Sequence, residues 1–255
     1  MPWYEVLALL AAGMAAGTIN TIVGSGTLIT FPTLLFFGFP PVVANMSNTV
    51  GLVAGGLMGI HGYRAELVGQ GSTLRRLMPA SLLGAVTGAV LLLTLPESAF
   101  NAIVPLLIAA ALVLVLLGPR IQAWTAARHP DHDSPGRRLL LTGGVFVTGA
   151  YGGYFGAAQG ILLVGIMSVL MTVGLQKVNA MKNVFATVVN AVAAVIFVLV
   201  AWERIDWTVV ALIAVGSIAG GYAGARVGRR LPPQVLRVLI VVIGVGAIIK
   251  IVVWP

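Results

Sequence analysis

The sequence predicts an all-α polytopic membrane protein made of two inverted repeats of about five helical segments each, with a broken or short helix in each repeat. Three observations carry that reading. Of the 255 residues, 59% are hydrophobic and 9% charged, with a mean hydropathy of +1.03, whereas a water-soluble domain carries about 25% charged residues. Apolar runs of spanning length recur along the whole chain. The motifs of the first half return in the second.

Ten apolar segments follow one another, at about 5–23, 27–38, 41–62, 75–95, 98–117, 139–156, 160–173, 178–201, 207–227 and 234–253. A helix needs roughly 20 residues to cross the hydrocarbon core. Eight segments are long enough, and the second and seventh are short. The first has no cation before it, since the first in the chain is Arg64, and Glu5 lies on its flank. It therefore reads as a retained segment and not as a cleaved signal. Glycine breaks precede the two short segments: Gly24, Ser25 and Gly26 before one, and Gly156 to Gly160 before the other.

The repeat shows when the halves are overlaid. Ala44-Asn-Met-Ser-Asn48 matches Asn179-Ala-Met-Lys-Asn183, Gly17 falls on Gly149, and Gly24 on Gly156. Ser81, Gly84, Gly88 and Leu95-Pro96 match Ser217, Gly220, Gly224 and Leu231-Pro232, and Pro119 matches Pro255. Residues 1–118 and 139–255 are thus read as two membrane repeats of one integrated bundle, joined by a polar cytoplasmic linker at 119–138. Neither half is expected to stand alone, because each would expose the polar backbone of its break to lipid.

Cations in short loops mark the cytoplasmic side. Arg64, Arg75 and Arg76, the four linker arginines, Lys177 and Lys182, and Arg226, Arg229, Arg230 and Arg237 place 13 of the 15 cations on one side. That assignment puts both termini outside the cytoplasm, in the cell (inner or plasma) membrane, and inverts the second half relative to the first. Inverted repeats are a transporter architecture, with sites where broken helices meet near the midplane.

The breaks supply the candidate substrate site. A helix beginning at Thr27 or Gln159 aims free N–H groups and a positive dipole end at its break, which suits an anion. Asn20, Gly24, Ser25, Gly26, Thr27, Tyr151, Tyr154, Gly156 and Gln159 surround the two breaks, and their polar side chains can donate hydrogen bonds to an oxyanion. Asn45, Asn48, Asn179 and Asn183 open the following helices and either face the cavity or, for Asn45 and Asn179, cap those helices. Lys182 either supplies a full positive charge or snorkels to the cytoplasmic surface. The glycines otherwise serve close helix packing, and Tyr151 otherwise packs between helices.

The stretch Gly17-Thr-Ile-Asn-Thr-Ile-Val-Gly-Ser-Gly-Thr-Leu-Ile-Thr-Phe-Pro32, followed by Gly38-Phe-Pro-Pro and Ala44 to Asn48, resembles the first-half signature of the sulfite exporter TauE/SafE (TSUP) family of permeases. Gly149-Ala-Tyr-Gly-Gly-Tyr-Phe-Gly156 with Asn179 to Asn183 resembles its second-half signature. The resemblance covers nearly the whole chain. It implies a permease of the plasma membrane for small anions, often sulfur oxyanions or organosulfonates such as sulfite, thiosulfate or sulfoacetate. Members are described with seven or eight spans, fewer than the ten segments read here. Relatives often carry a longer glycine run at the first break and an Asp at the position of Asn20, so a coupling role for an acid at position 20 does not carry over.

Charge distribution points the same way without the resemblance. All seven acids lie at segment ends or in loops, so no carboxylate is placed to bind a cation at depth. The expected substrate is a small anion moved by alternating access, and the alternative is an anion channel or a permease for a small carboxylate or other organic anion. Coupling stays open between a uniporter and a proton-linked carrier using Lys182, His61 or the bound substrate; His61 also reads as an interfacial residue. No cofactor and no metal site is expected. Cysteine is absent, neither an HExxH motif nor a GxSxG with plausible partners occurs, and an intramembrane enzyme is not expected. Cations scattered among apolar runs argue against nucleic acid as a partner. The partners expected are the substrate and the lipid bilayer, and a homo-oligomer is compatible with the sequence.

Overall fold

The computed structural model describes residues 1–126 and 134–227, with 238, 240–243 and 245 near the C-terminus. Nine α-helices lie in the described continuous stretches: α1 Trp3–Ile22, α2 Thr27–Phe36, α3 Pro41–Gly62, α4 Gly71–Thr94, α5 Glu97–Ala126, α6 Pro135–Tyr154, α7 Gln159–Leu170, α8 Leu175–Val200 and α9 Trp207–Val227. Six of them, α1, α3, α4, α5, α8 and α9, are long and apolar enough to cross a membrane. Helix α6 has the length but opens on Gly136, Arg137 and Arg138 and carries six glycines, so it falls short of the apolarity expected of a spanning segment. The chain is an all-helical, multi-pass membrane protein.

Helix boundaries follow local chemistry. Pro40 and Pro41 start α3, where a fixed φ suits the first turn and a missing N–H costs nothing. Helix α1 ends at Gly24, α2 at Gly38 and α6 at Gly156, each with φ near +80°, the left-handed conformation that glycine adopts without a Cβ penalty. The segment expected as linker, 119–138, is partly helical: α5 runs on to Ala126 and α6 begins at Pro135, capped by the Ser134 hydroxyl. Arg128, His129, Asp131, His132 and Asp133, the tenth segment apart from a few positions, and Arg229, Arg230, Arg237 and Lys250 lie outside the described residues.

Glycines set the helix contacts. On α1, Gly13 and Gly17 lie against Ile213 and Ser217 of α9, while Gly216, Gly220 and Gly224 of α9 lie against Leu10, Met14 and Thr18 of α1. Contacts that climb together in this way mean parallel helices. The pair α4 and α6 repeats the arrangement: Gly84 and Gly88 meet Phe146 and Ala150, and Gly149 and Gly153 meet Ser81 and Ala85. Helix α3 also runs parallel to α9, through Gly51 on Ile213, Gly55 on Ser217 and Gly62 on Ala225. It runs antiparallel to α8, because Gly56 meets Thr187 while Gly59, farther along α3, meets Thr21, whose carbonyl accepts from Asn183. Backbone approach this close is open only to small residues, and in lipid it replaces hydrophobic burial as the force between helices.

These directions place Arg64, Arg75, Arg76, Arg137, Arg138, Lys177 and Arg226 at one end of the bundle, called here the basic end. The opposite end holds Glu5, Glu97, Glu203 and Asp206, with Glu97 paired to Arg204 at 2.9 Å. Helices α6 and α7 form a hairpin, since the Arg137 guanidinium at the start of α6 donates to the carbonyls of Leu170 and Val169 at the end of α7, at 3.0 and 3.3 Å.

A Cβ at Gly88 would strike the Ala150 carbonyl, whereas nothing stands within 4 Å of one at Gly143. Gly88→Leu is therefore expected to cost about 3 kcal/mol or more, and Gly143→Ala to be neutral or to stabilise by about 0.5–1 kcal/mol. Thermal unfolding of the two purified variants, followed by tryptophan fluorescence, measures the difference.

Candidate functional site

Two helix breaks meet inside the bundle. The Gly160 N–H donates to the Gly24 carbonyl at 3.0 Å, and a Cβ on either glycine would collide with the α-carbon of the other. Only glycine at both positions lets these two backbones touch. The contact joins the end of α1 to the start of α7.

Breaking a helix here leaves carbonyls that neither water nor lipid serves in a dry bilayer. The second half supplies donors to the first. Lys182 Nζ, on α8, donates to the carbonyls of Asn20 and Thr21 at 2.9 and 3.1 Å, and Asn183 Nδ2 reaches the Thr21 carbonyl at 3.4 Å. The first half returns the service, since Asn45 Nδ2 on α3 donates to the Tyr154 carbonyl at the end of α6, at 2.9 Å. Within the second break, the Tyr151 hydroxyl donates to the Ala157 carbonyl, and Ala158 holds a left-handed φ of 61° with a side chain, a conformation that costs roughly 1 kcal/mol or more. Within the first, the Gly26 N–H reaches Asn20 Oδ1 at 3.4 Å, while Asn48 bonds both Thr27 and Thr30.

These contacts correct three local expectations. Asn45 and Asn179 do not cap their own helices, whose N-caps are Pro40 and Gly174; Asn45 caps α6 instead. Lys182 does not snorkel, being fully buried. The first-turn N–H of Gly160 is used between the breaks and does not face a cavity.

What remains is a set of buried polar atoms without a hydrogen-bond partner among the described residues: Ser25 Oγ, Asn45 Oδ1, Tyr154 Oη and Gln159 Nε2. Ser25 and Gln159 are the chain neighbours of the two touching glycines, and Asn45 and Tyr154 are joined through the Tyr154 carbonyl. Three of the four can donate, and each stays costly until something accepts. Asn20 and Gly156 are half-buried beside them, and Asn179 is half-buried on α8. Of the fourteen residues singled out from sequence, all but Asn179 lie at the breaks or bond to their backbone or to neighbouring side chains there.

Thr21 and Thr30 escaped notice. Thr30 is fully buried and stands one turn after Thr27, the spacing that puts both on one helix face; that spacing was the available signal. Edge-to-face packing of Phe31 on Phe155, at 5.1 Å between centroids, and of Phe100 on Tyr154 and Phe155 covers the crossing. Because Phe100 follows Glu97 at the start of α5, this apolar cover lies toward the end opposite the basic one.

A family model described as Sulfite exporter TauE/SafE matches residues 9–251. The chain belongs to this family. Among curated relatives, a "Probable membrane transporter protein" of Haemophilus influenzae is 26% identical over 242 residues, covering 93% of this chain and 91% of the relative. "Probable membrane transporter protein ORF9" of a Sinorhizobium species is 27% identical, covering 99% and 94%. "Probable membrane transporter protein YfcA" of Escherichia coli K12 is 24% identical, covering 92% and 85%. No solved structure matches the chain. TauE/SafE membership thus spans both glycine breaks and the helices that cap them.

Gly24 and Gly38 both hold a positive φ, but only Gly24 is crowded, nothing standing within 4 Å of a Cβ on Gly38. Gly38→Ala is expected to cost about 1–2 kcal/mol, the left-handed penalty alone, and Gly24→Ala that penalty plus the collision with Gly160, about 2–5 kcal/mol together. Melting temperatures of the two variants, compared with the parent, check the separation.

Proposed function

We propose that this TauE/SafE protein is a secondary transporter that carries a small anion, a sulfur oxyanion or an organosulfonate, across the plasma membrane by alternating access. The observation that carries the reading is the crossing itself: two broken helices in contact, with neutral donors from Ser25, Tyr154 and Gln159 left unpartnered beside it. The buried Lys182 side chain packs its Cδ methylene against both glycines. Its Nζ donates to the Asn20 and Thr21 carbonyls, and no carboxylate among the described residues is bonded to it. The described carboxylates stand at helix ends or in loops, away from the crossing.

An inverted repeat accounts for the helix directions. Corresponding helices, α1 with α6, α3 with α8 and α4 with α9, run opposite ways, and the packed pairs α1 with α9 and α4 with α6 exchange under the same correspondence. With cations facing the cytoplasm, the basic end is cytoplasmic and the N-terminus lies outside; the C-terminus follows it if the tenth segment crosses. Alternating access then requires the Phe31, Phe100 and Phe155 cover to part on one side while the basic end closes. A membrane potential negative inside favours exit of the anion. Membership in a family of transporters, together with relatives named as membrane transporters, supports transport in preference to catalysis.

Ser25→Ala removes one donor without adding bulk, while Gly26→Leu would drive a side chain into the Ala16 carbonyl and disturb the fold. The informative variant is Ser25→Ala. In proteoliposomes loaded with sulfite, thiosulfate or sulfoacetate it is expected to lower flux about tenfold, the loss of one hydrogen bond to a charged group, at an unchanged or raised melting temperature. Saturable flux with counterflow marks a carrier, and unsaturable flux marks a channel. If no sulfur anion moves while a carboxylate does, the substrate class proposed here is wrong.

A further inference from the structure

The strongest charged feature that the crossing does not use lies at the basic end. A cavity of about 260 Å³ is lined there by Thr73 and Arg76 of α4, by Arg137, Arg138 and Leu141 of α6, and by Leu170 at the end of α7 with the three residues that follow it. Three guanidinium groups and two threonine hydroxyls thus border one opening, and no carboxylate is among the described lining residues. The rest of the lining is apolar. On the turn of α6 beside it, Leu139 and Leu140 are 74% and 66% exposed, as suits side chains in contact with acyl chains. The pocket therefore straddles the boundary between hydrocarbon and water.

We propose that this pocket binds an anionic phosphate group, carried either by an anionic phospholipid headgroup or by free phosphate in the aqueous phase. Guanidinium forks match phosphate oxygens two at a time, the threonine hydroxyls add neutral donors, and the leucine, methionine and valine side chains suit the first methylenes of a lipid's acyl chains. Basic clusters immediately beside spanning helices are where anionic headgroups gather. The site is separate from the glycine crossing, and its existence does not depend on the transport reading. It has a route to that crossing all the same. Arg137, which lines the pocket, also holds the last carbonyls of α7, and the first turn of α7 carries Gln159 and Gly160. An occupant that engages Arg137 shares that guanidinium with the end of α7 and so bears on where its other end sits.

The test is thermal unfolding of the full chain in a neutral detergent, titrated separately with inorganic phosphate, with phosphatidylglycerol and with phosphatidylcholine, whose choline the arginines repel. A ligand that binds the folded state raises the melting temperature. A rise with phosphatidylglycerol alone assigns the lipid, and a rise with inorganic phosphate assigns the free anion; either supports the site. In the double variant Arg76→Gln with Arg138→Gln the midpoint of that rise is expected to move to about tenfold higher concentration, while Arg76→Lys with Arg138→Lys keeps most of it. The proposal is overturned if neither anionic ligand raises the melting temperature, if phosphatidylcholine does so equally, if the glutamine variant responds as the parent does, or if the response vanishes in Ser25→Ala, which would place the anion at the crossing.

Discussion

Everything in this structure depends on one constraint: a helix interrupted inside a bilayer must find partners for its carbonyl and N–H groups within the protein. Here the partners come from the other half of the chain. Lys182 and Asn183 serve the end of α1, Asn45 serves the end of α6, and Gly160 bonds directly to Gly24. Because these contacts are reciprocal, the two breaks are held in one place. A site assembled from both is placed by the same bonds that make the breaks tolerable.

The second requirement is proximity. Two backbones touch only where no Cβ intervenes, and the glycine rows on α1, α4, α6 and α9 bring whole helices to that distance. With little gained from burying leucine away from lipid, dispersion contacts and backbone approach carry the packing. Many large apolar residues are accordingly turned outward, as Leu83, Leu106, Val147 and Leu199 are. At the helix contacts, the glycines that look permissive in composition are positions where substitution is blocked.

Much of this was legible in the residues. The end of α3 and the start of α2 follow from proline, glycine and the lengths of apolar runs, and the two breaks from their glycines. Partners across the halves were not legible, because periodicity and repeats describe a segment and its counterpart but not what each touches. Asn45 and Lys182 show the limit. In sequence Asn45 stands near a helix start and Lys182 near a cytoplasmic loop, so capping and snorkelling were the natural alternatives; their actual partners lie more than 100 residues away. Ser47, the counterpart of Lys182 in the repeat, accepts from the Asp206 N–H instead, so the repeat did not foretell the asymmetry either.

The cap that Lys182 places on α1 has a meaning for biogenesis. Its partner carbonyl on Asn20 lies 162 residues earlier in the chain. On a ribosome α1 and the short α2 emerge and reach the bilayer while that lysine has yet to be polymerised, and the exposed carbonyls must meanwhile be held by water, by the insertion machinery or by a provisional neighbour. The first half enters the membrane unfinished, and α8 completes it from behind.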